Sequence, residues 1–203
     1  MTRTLTRTAL VVIAGATTFM IAATSGQPEL PAGHPKVSTP KQAAAESNAD
    51  PADVQSTDAV IDAYYASISG GIDEPRDWDR FLSLFMPDAQ FIVSRMVNGE
   101  SIPLALSAQE FVDSNRTYFE RGGYFEKDIH RKTNTFGNIS QVFSTYASRR
   151  SLDDPKPYSR GINSVQLMKT GGRWWIATIM WESERADSNP IPARYLPAVT
   201  MDD

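Results

Sequence analysis

The chain has no cysteine and only two histidines in 203 residues. Without thiols there is no disulfide, no thiolate zinc site and no cysteine nucleophile. With His34 and His130 as the only imidazoles, a transition-metal site is not expected, and no cofactor is implied. His34 lies in a Pro-rich stretch with no C-x-x-C-H pattern, which removes a haem role. Reaction motifs are missing too: no G-x-S-x-G, no G-x-G-x-x-G, no phosphate-binding loop and no H-E-x-x-H. Positive charge is not in excess. The net charge is −4, which argues against nucleic acid or an anionic membrane as a partner.

The longest apolar run, Ala9 to Ala23, is about 15 residues, short of the roughly 20 that span a bilayer. Arg3 and Arg7 precede it, and Ala22, Ala23, Thr24, Ser25 and Gly26 follow. That order reads as a secretory signal over residues 1–26, cut between Ala22 and Gln27. The expected location is periplasmic or extracellular, with no membrane attachment after cleavage. Removing the segment takes away two Arg and no acid, so the net charge becomes −6. Residues 27–55 hold five Pro and little apolar bulk, and read as a disordered spacer.

A folded domain is expected over residues 56–186. Val60, Ile61, Tyr64, Tyr65 and Ile68 recur at helical spacing, and Trp78, Phe81, Leu82 and Phe85 form a second short stripe. Pro87 forbids continuation, and Ala89 to Met96 reads as a strand. Ser107 and Glu110 fit a capping box opening a third helix that runs to Gly122-Gly123. Beyond it the period changes to two. Phe125–Phe136 and Ile139–Arg149 flank Gly137-Asn138, a two-residue hairpin signal. A tight turn there pairs Phe136 with Ile139, His130 with Thr145 and Glu126 with Arg149. Arg160–Met168 and Arg173–Trp181 form a last hairpin, followed by an extended arm over 187–203. The last strand is apolar on both faces, so both must be covered. The inner cover is helical. The outer one is a second copy of the chain, giving a homodimer through the sheet, or the arm from Ser188 to Pro197.

This order of elements resembles the nuclear-transport-factor-2-like superfamily, which includes SnoaL-like and ketosteroid-isomerase-like domains. The resemblance rests on Leu84-Phe85-Met86-Pro87-Asp88-Ala89-Gln90-Phe91 and on Gly172-Arg173-Trp174-Trp175-Ile176. Phe136-Gly137-Asn138-Ile139 and Val142-Phe143-Ser144-Thr145-Tyr146 look like an exported bacterial branch of it. It implies an α+β fold: a cone-shaped, curved antiparallel sheet wrapped around three N-terminal helices, the cystatin-like roll, with a pocket. The superfamily holds isomerases, dehydratases, epoxide hydrolases, dioxygenase small subunits and binding domains, so the fold does not choose a function.

Candidate site residues follow from chemistry. His130 and Asp128 are two apart on one strand, which places them on one face, where a carboxylate can orient a general base. The resemblance implies that Tyr64 or Tyr65 stabilises an oxyanion, although no residue matches the base Asp or the second, protonated acid of ketosteroid-isomerase-like enzymes. Asn163 has an amide suited to a ligand carbonyl. Trp175 and Trp181 share parity and offer large apolar surfaces. Each has a structural alternative: a solvated sheet histidine, phenols at a rim, a cross-strand amide bond, or core packing. Three functions stay open: small-molecule binding in a mostly apolar pocket, cofactor-free acid/base catalysis of isomerase, dehydratase or hydrolase type, and a partner-binding or structural domain. Export is checked by mass spectrometry of the mature protein, which should begin between Ala22 and Gln27; an intact Met1 in the cytoplasmic fraction contradicts it.

Overall fold

The computed structural model describes residues 48–198. The signal segment, the spacer before residue 48 and the last residues of the arm lie outside the described residues. No helix among the described residues is long and apolar enough to cross a membrane.

Order begins earlier than the expected residue 56. Asp50 caps a helical turn, α1 (Pro51–Val54), which buries Val54 and aims Asp53 at Arg80, 2.7 Å away. Three helices then carry the inner layer. They are α2 (Thr57–Ile68), α3 (Trp78–Ser83) and α4 (Ala108–Gly122). Each starts where a side chain satisfies a free N–H: Ser56 accepts from Ala59, Asp77 from Arg80, and Ser107 from Glu110. Glu110 returns a bond to the Ser107 N–H, completing the expected capping box.

The six strands are β1 (Phe85–Val97), β2 (Glu100–Ser107), β3 (Phe125–Phe136), β4 (Ile139–Arg149), β5 (Ser159–Thr170) and β6 (Arg173–Ser183). They form one sheet in the order β2-β1-β6-β5-β4-β3. The fold is α+β, as expected, but the sheet is mixed rather than antiparallel throughout. β1 runs parallel to β6, which is possible because no hairpin joins them. β2 went unread in the sequence. It folds back on β1 through Asn98-Gly99, with φ of 52° and 87°, a two-residue turn of the kind Asn-Gly favours.

Two bulges decide which side chains face the helices. The β3–β4 ladder follows the expected pairing from Phe136↔Ile139 to His130↔Thr145, and then shifts by one residue. Asp128 pairs with Tyr146 and Glu126 with Ser148, leaving Ile129 extra. The expected Glu126–Arg149 pair is therefore not formed. Asp128 and Glu126 share the inner face with Tyr146 and Ser148, while His130 shares the outer face with Thr145. In β6 the extra residue is Ala177: Thr178 pairs with Gln166 and Ile176 with Leu167. Trp181 thus faces inward beside Asn163, with Ile179, Ile176 and Trp174, and Trp175 faces outward. Equal parity of Trp175 and Trp181 does not survive the bulge.

The β3 bulge is clamped. Arg131 reaches Asp128 at 2.6 Å, Asp58 at 2.9 Å and Asp62 at 2.6 Å, tying β3 to α2. Inside, Phe81, Phe85, Phe91 and Phe111 stack into one core, with Phe91 and Phe111 centroids 4.2 Å apart. On the outer face, Thr145 donates to the Tyr195 carbonyl at 2.6 Å, Tyr195 lies 5.1 Å from the Phe143 ring, and Ile191 is buried. The arm thus lies against that face, and Met96, Ile102 and Met180 stay exposed.

Arg131→Met leaves Asp128, Asp58 and Asp62 without the cation they share beside the bulge. Charge-assisted hydrogen bonds of this kind contribute about 1.5–3 kcal/mol. Urea unfolding should show a loss of that size; unchanged stability would contradict the clamp.

Candidate functional site

An inward-facing cavity of about 200 Å³ lies between α2, α4 and strands β3 to β6. It is smaller than the roughly 300 Å³ that begins the range for drug-sized ligands. Its lining is not the apolar one expected. Five tyrosines border it, Tyr64, Tyr118, Tyr124, Tyr146 and Tyr158, together with Glu126, Asn115, Asn163, Ser148, Ser159 and Ser183. Phe111, Phe119, Ile68 and Trp181 supply the apolar part. A second, larger space of about 330 Å³ lies on the outer face, under Asn189–Pro192 of the arm.

Glu126 is the chemical centre of the inner cavity. It is 8% exposed. Its Oε2 accepts from the Tyr124 hydroxyl and from Ser148 Oγ at 2.8 Å. Its backbone is held by Ser69, the residue that ends α2. The Ser69 hydroxyl donates to the Glu126 carbonyl at 3.1 Å and accepts from its N–H at 3.0 Å. Burial pushes the Glu126 carboxyl above the usual carboxylate range, and Tyr124, Ser148 and Asn163 offset part of that rise. Burial likewise raises Tyr124, with the Glu126 charge adding to it.

Tyr64 is 5% exposed and lines the cavity. Its phenol has no hydrogen-bond partner among the described residues and opens onto the cavity. Burial, then the Glu126 charge, holds it in the neutral form. Tyr65 has turned instead to structure. Its hydroxyl lies 2.7 Å from Ser144 Oγ and accepts from the Asn163 amide at 3.0 Å. Tyr146 crosses β5 at Gly161, where an added Cβ would sit 2.4 Å from its hydroxyl, and reaches Ser183 at 3.0 Å.

The structure brings Tyr64, Asn163 and Trp181 to this cavity. It does not bring His130, Asp128 or Trp175. His130 sits on the outer face with Nδ1 buried and unpartnered, and the His130–Asp128 pair is broken by the Ile129 bulge. Asp128 is instead ion-paired with Arg131. Trp175 packs under Arg173, 3.7 Å from its guanidinium, and donates to the Thr170 carbonyl. Glu126 was missed because its neighbours Lys127, Asp128, Arg131 and Lys132 made the segment look like a solvated charged strand. The available signal was its company: Tyr124 two residues before, on the same face.

The sheet with its helices defines a cystatin-like α+β fold. No protein-family model matches this chain, and no curated protein matches it. Solved structures similar to it include proteins described as nuclear-transport-factor-2-like or cystatin-like. One from Pseudomonas putida is 9% identical over 66% of this chain and 88% of its own, with a TM-score of 0.49. One from Silicibacter pomeroyi is 15% identical over 63% and 92%, at 0.45. A cystatin-like protein from Nostoc punctiforme is 14% identical over 62% and 86%, at 0.46. All three are of unknown function.

The folded protein holds the Glu126 proton more tightly than the unfolded chain does. As pH rises above the ordinary value of 4.5, this group costs stability, progressively until its folded-state pKa is passed and by a constant amount beyond. Glu126→Gln lacks that dependence. Its stability relative to wild type should therefore rise with pH through this window and stay level below it. Unfolding curves across acidic to neutral pH read the difference; a gap independent of pH contradicts a raised carboxyl.

Proposed function

We propose that the chain binds a small molecule in the Glu126 cavity, through a polar oxygen on the ligand. The observation that carries this is the free Tyr64 phenol. The hydroxyl opens onto the cavity, and a ligand carbonyl or hydroxyl beside Glu126 accepts from it. Asn163 and Trp181 add an amide edge and an apolar wall to the same space.

A second reading is cofactor-free acid/base catalysis of isomerase, dehydratase or hydrolase type. It is favoured by one fact, the raised carboxyl of Glu126 in direct contact with Tyr124. A carboxyl that holds its proton above the ordinary range serves as a general acid or base, and Tyr64 stands ready to donate to a developing oxyanion. A purely structural role is disfavoured by a cavity that aromatic packing leaves unfilled. The proposal includes export, supported by residues 1–26, and self-association over the outer face beside the arm, supported by the exposed Met96, Ile102 and Met180.

Native mass spectrometry of the protein purified from its own host tests these points together. The expected spectrum shows twice the monomer mass and a retained small molecule that Tyr64→Phe loses or holds at least about fivefold more weakly, the effect of one hydrogen bond of about 1 kcal/mol. Equal retention by Tyr64→Phe, or a ligand-free wild type, contradicts the cavity reading, and a monomer contradicts the dimer.

A further inference from the structure

The mouth of the cavity carries a cation with no counter-ion among the described residues. Arg150 follows directly on β4. Its guanidinium carbon lies 4.6 Å from the Tyr118 ring centroid and 4.5 Å from that of Tyr158. Both rings line the cavity, and their hydroxyls are 3.3 Å apart. Arg150 donates from Nη2 to the Tyr118 hydroxyl at 2.7 Å and from Nη1 to the Gly123 carbonyl at 3.3 Å. A guanidinium has five N–H donors, so most of its donors remain unspent.

Several arginines of the domain are held by carboxylates. Arg80 pairs with Asp53, Arg131 with three aspartates and Arg160 with Glu184. Arg150 pairs with no carboxylate among the described residues. Asp154, four residues on, spends its Oδ2 on the backbone N–H groups of Arg150 and Ser151, at 2.9 and 3.0 Å. The two rings and the two hydrogen bonds hold the guanidinium in place, and a planar fork held in place is the geometry that receives a carboxylate with two parallel hydrogen bonds.

We propose that the molecule held in this cavity is a small organic anion whose carboxylate pairs with Arg150 at the mouth while its uncharged body lies inward against Tyr64 and Glu126. This rests on the cavity reading above and adds the charge of the ligand. The interior leaves the anion to the mouth: the Glu126 Oε2 is spent on Tyr124 and Ser148, and the free guanidinium donors lie with Arg150. The tyrosine rings cover the apolar side of the bound acid, and the guanidinium supplies what they lack.

The probes are benzoate and its neutral isostere benzamide, with binding measured by calorimetry on wild type, Arg150→Met, Arg150→Lys and Asn115→Trp, the last filling the cavity from α4. Wild type should bind benzoate about tenfold more tightly than benzamide, the worth of one charge-assisted pair. Arg150→Met should erase that preference and leave benzamide binding unchanged, and Arg150→Lys should keep part of it. Both probes should be lost in Asn115→Trp. Equal binding of the two probes to wild type, with both lost in Asn115→Trp, overturns the anion proposal and leaves the cavity reading standing. A benzoate preference that survives Arg150→Met overturns the proposal as well. Binding that survives Asn115→Trp overturns it together with the cavity reading. A wild type that binds neither probe overturns the proposal alone, because native mass spectrometry then judges the cavity.

Discussion

Glu126 faces the helices because β3 carries one more residue than β4 between Asp128 and His130, and the rest of the site depends on that single offset. A strand alternates faces with period two, so one unpaired residue exchanges the faces of everything on one side of it. Here the exchange sends Glu126 and Asp128 in and His130 out. Three contacts keep the offset in place. Arg131 gathers Asp128, Asp58 and Asp62 around the bulge, Ser69 binds both backbone groups of Glu126, and Tyr124 and Ser148 satisfy its carboxyl. The bulge in β6 at Ala177 does the same for Trp181, which it turns toward Asn163.

The interior then divides into a filled half and an open half. Phe81, Phe85, Phe91 and Phe111 stack on one another and leave no room. Beyond Phe111 the wall changes to phenols, amides and one carboxyl. Most of these groups bond to one another: Tyr65 with Ser144 and Asn163, Tyr146 with Ser183, Tyr124 with Glu126. Two groups do not close on the protein, the Tyr64 phenol within and much of the Arg150 guanidinium at the mouth. Among the described residues the fully buried side-chain atom left unmatched is His130 Nδ1, on the outer face; the Tyr64 hydroxyl opens instead onto the cavity.

Much of the fold was legible in the sequence because it was written in local chemistry. The Ser107–Glu110 box, the helical stripes of Tyr64 and Phe81, and the Gly137-Asn138 turn each act over a few residues, and each stands where the pattern put it. The Asn98-Gly99 turn carried an equally good signal that was not used, and β2 was lost with it. The site was less legible, because it depends on bulges that sequence alternation does not announce. Parity placed His130 beside Asp128 and Trp175 beside Trp181; one inserted residue in each strand separated both pairs. Tyr64 and Asn163 are set by a helix face and by a strand without an extra residue, whereas Trp181 faces inward only through the bulge in β6. Glu126 was hidden among charged neighbours whose exposure it does not share.

The central claim is that Glu126 is a buried carboxyl that holds its proton above the ordinary range while facing an open cavity. Its titration, followed by carbon NMR of the side-chain carboxyl and assigned by the signal lost in Glu126→Gln, tests that claim most directly. The account requires a midpoint above the ordinary value of 4.5. A midpoint at or below 4.5 would mean that the carboxyl is solvated or ion-paired, and would contradict the account.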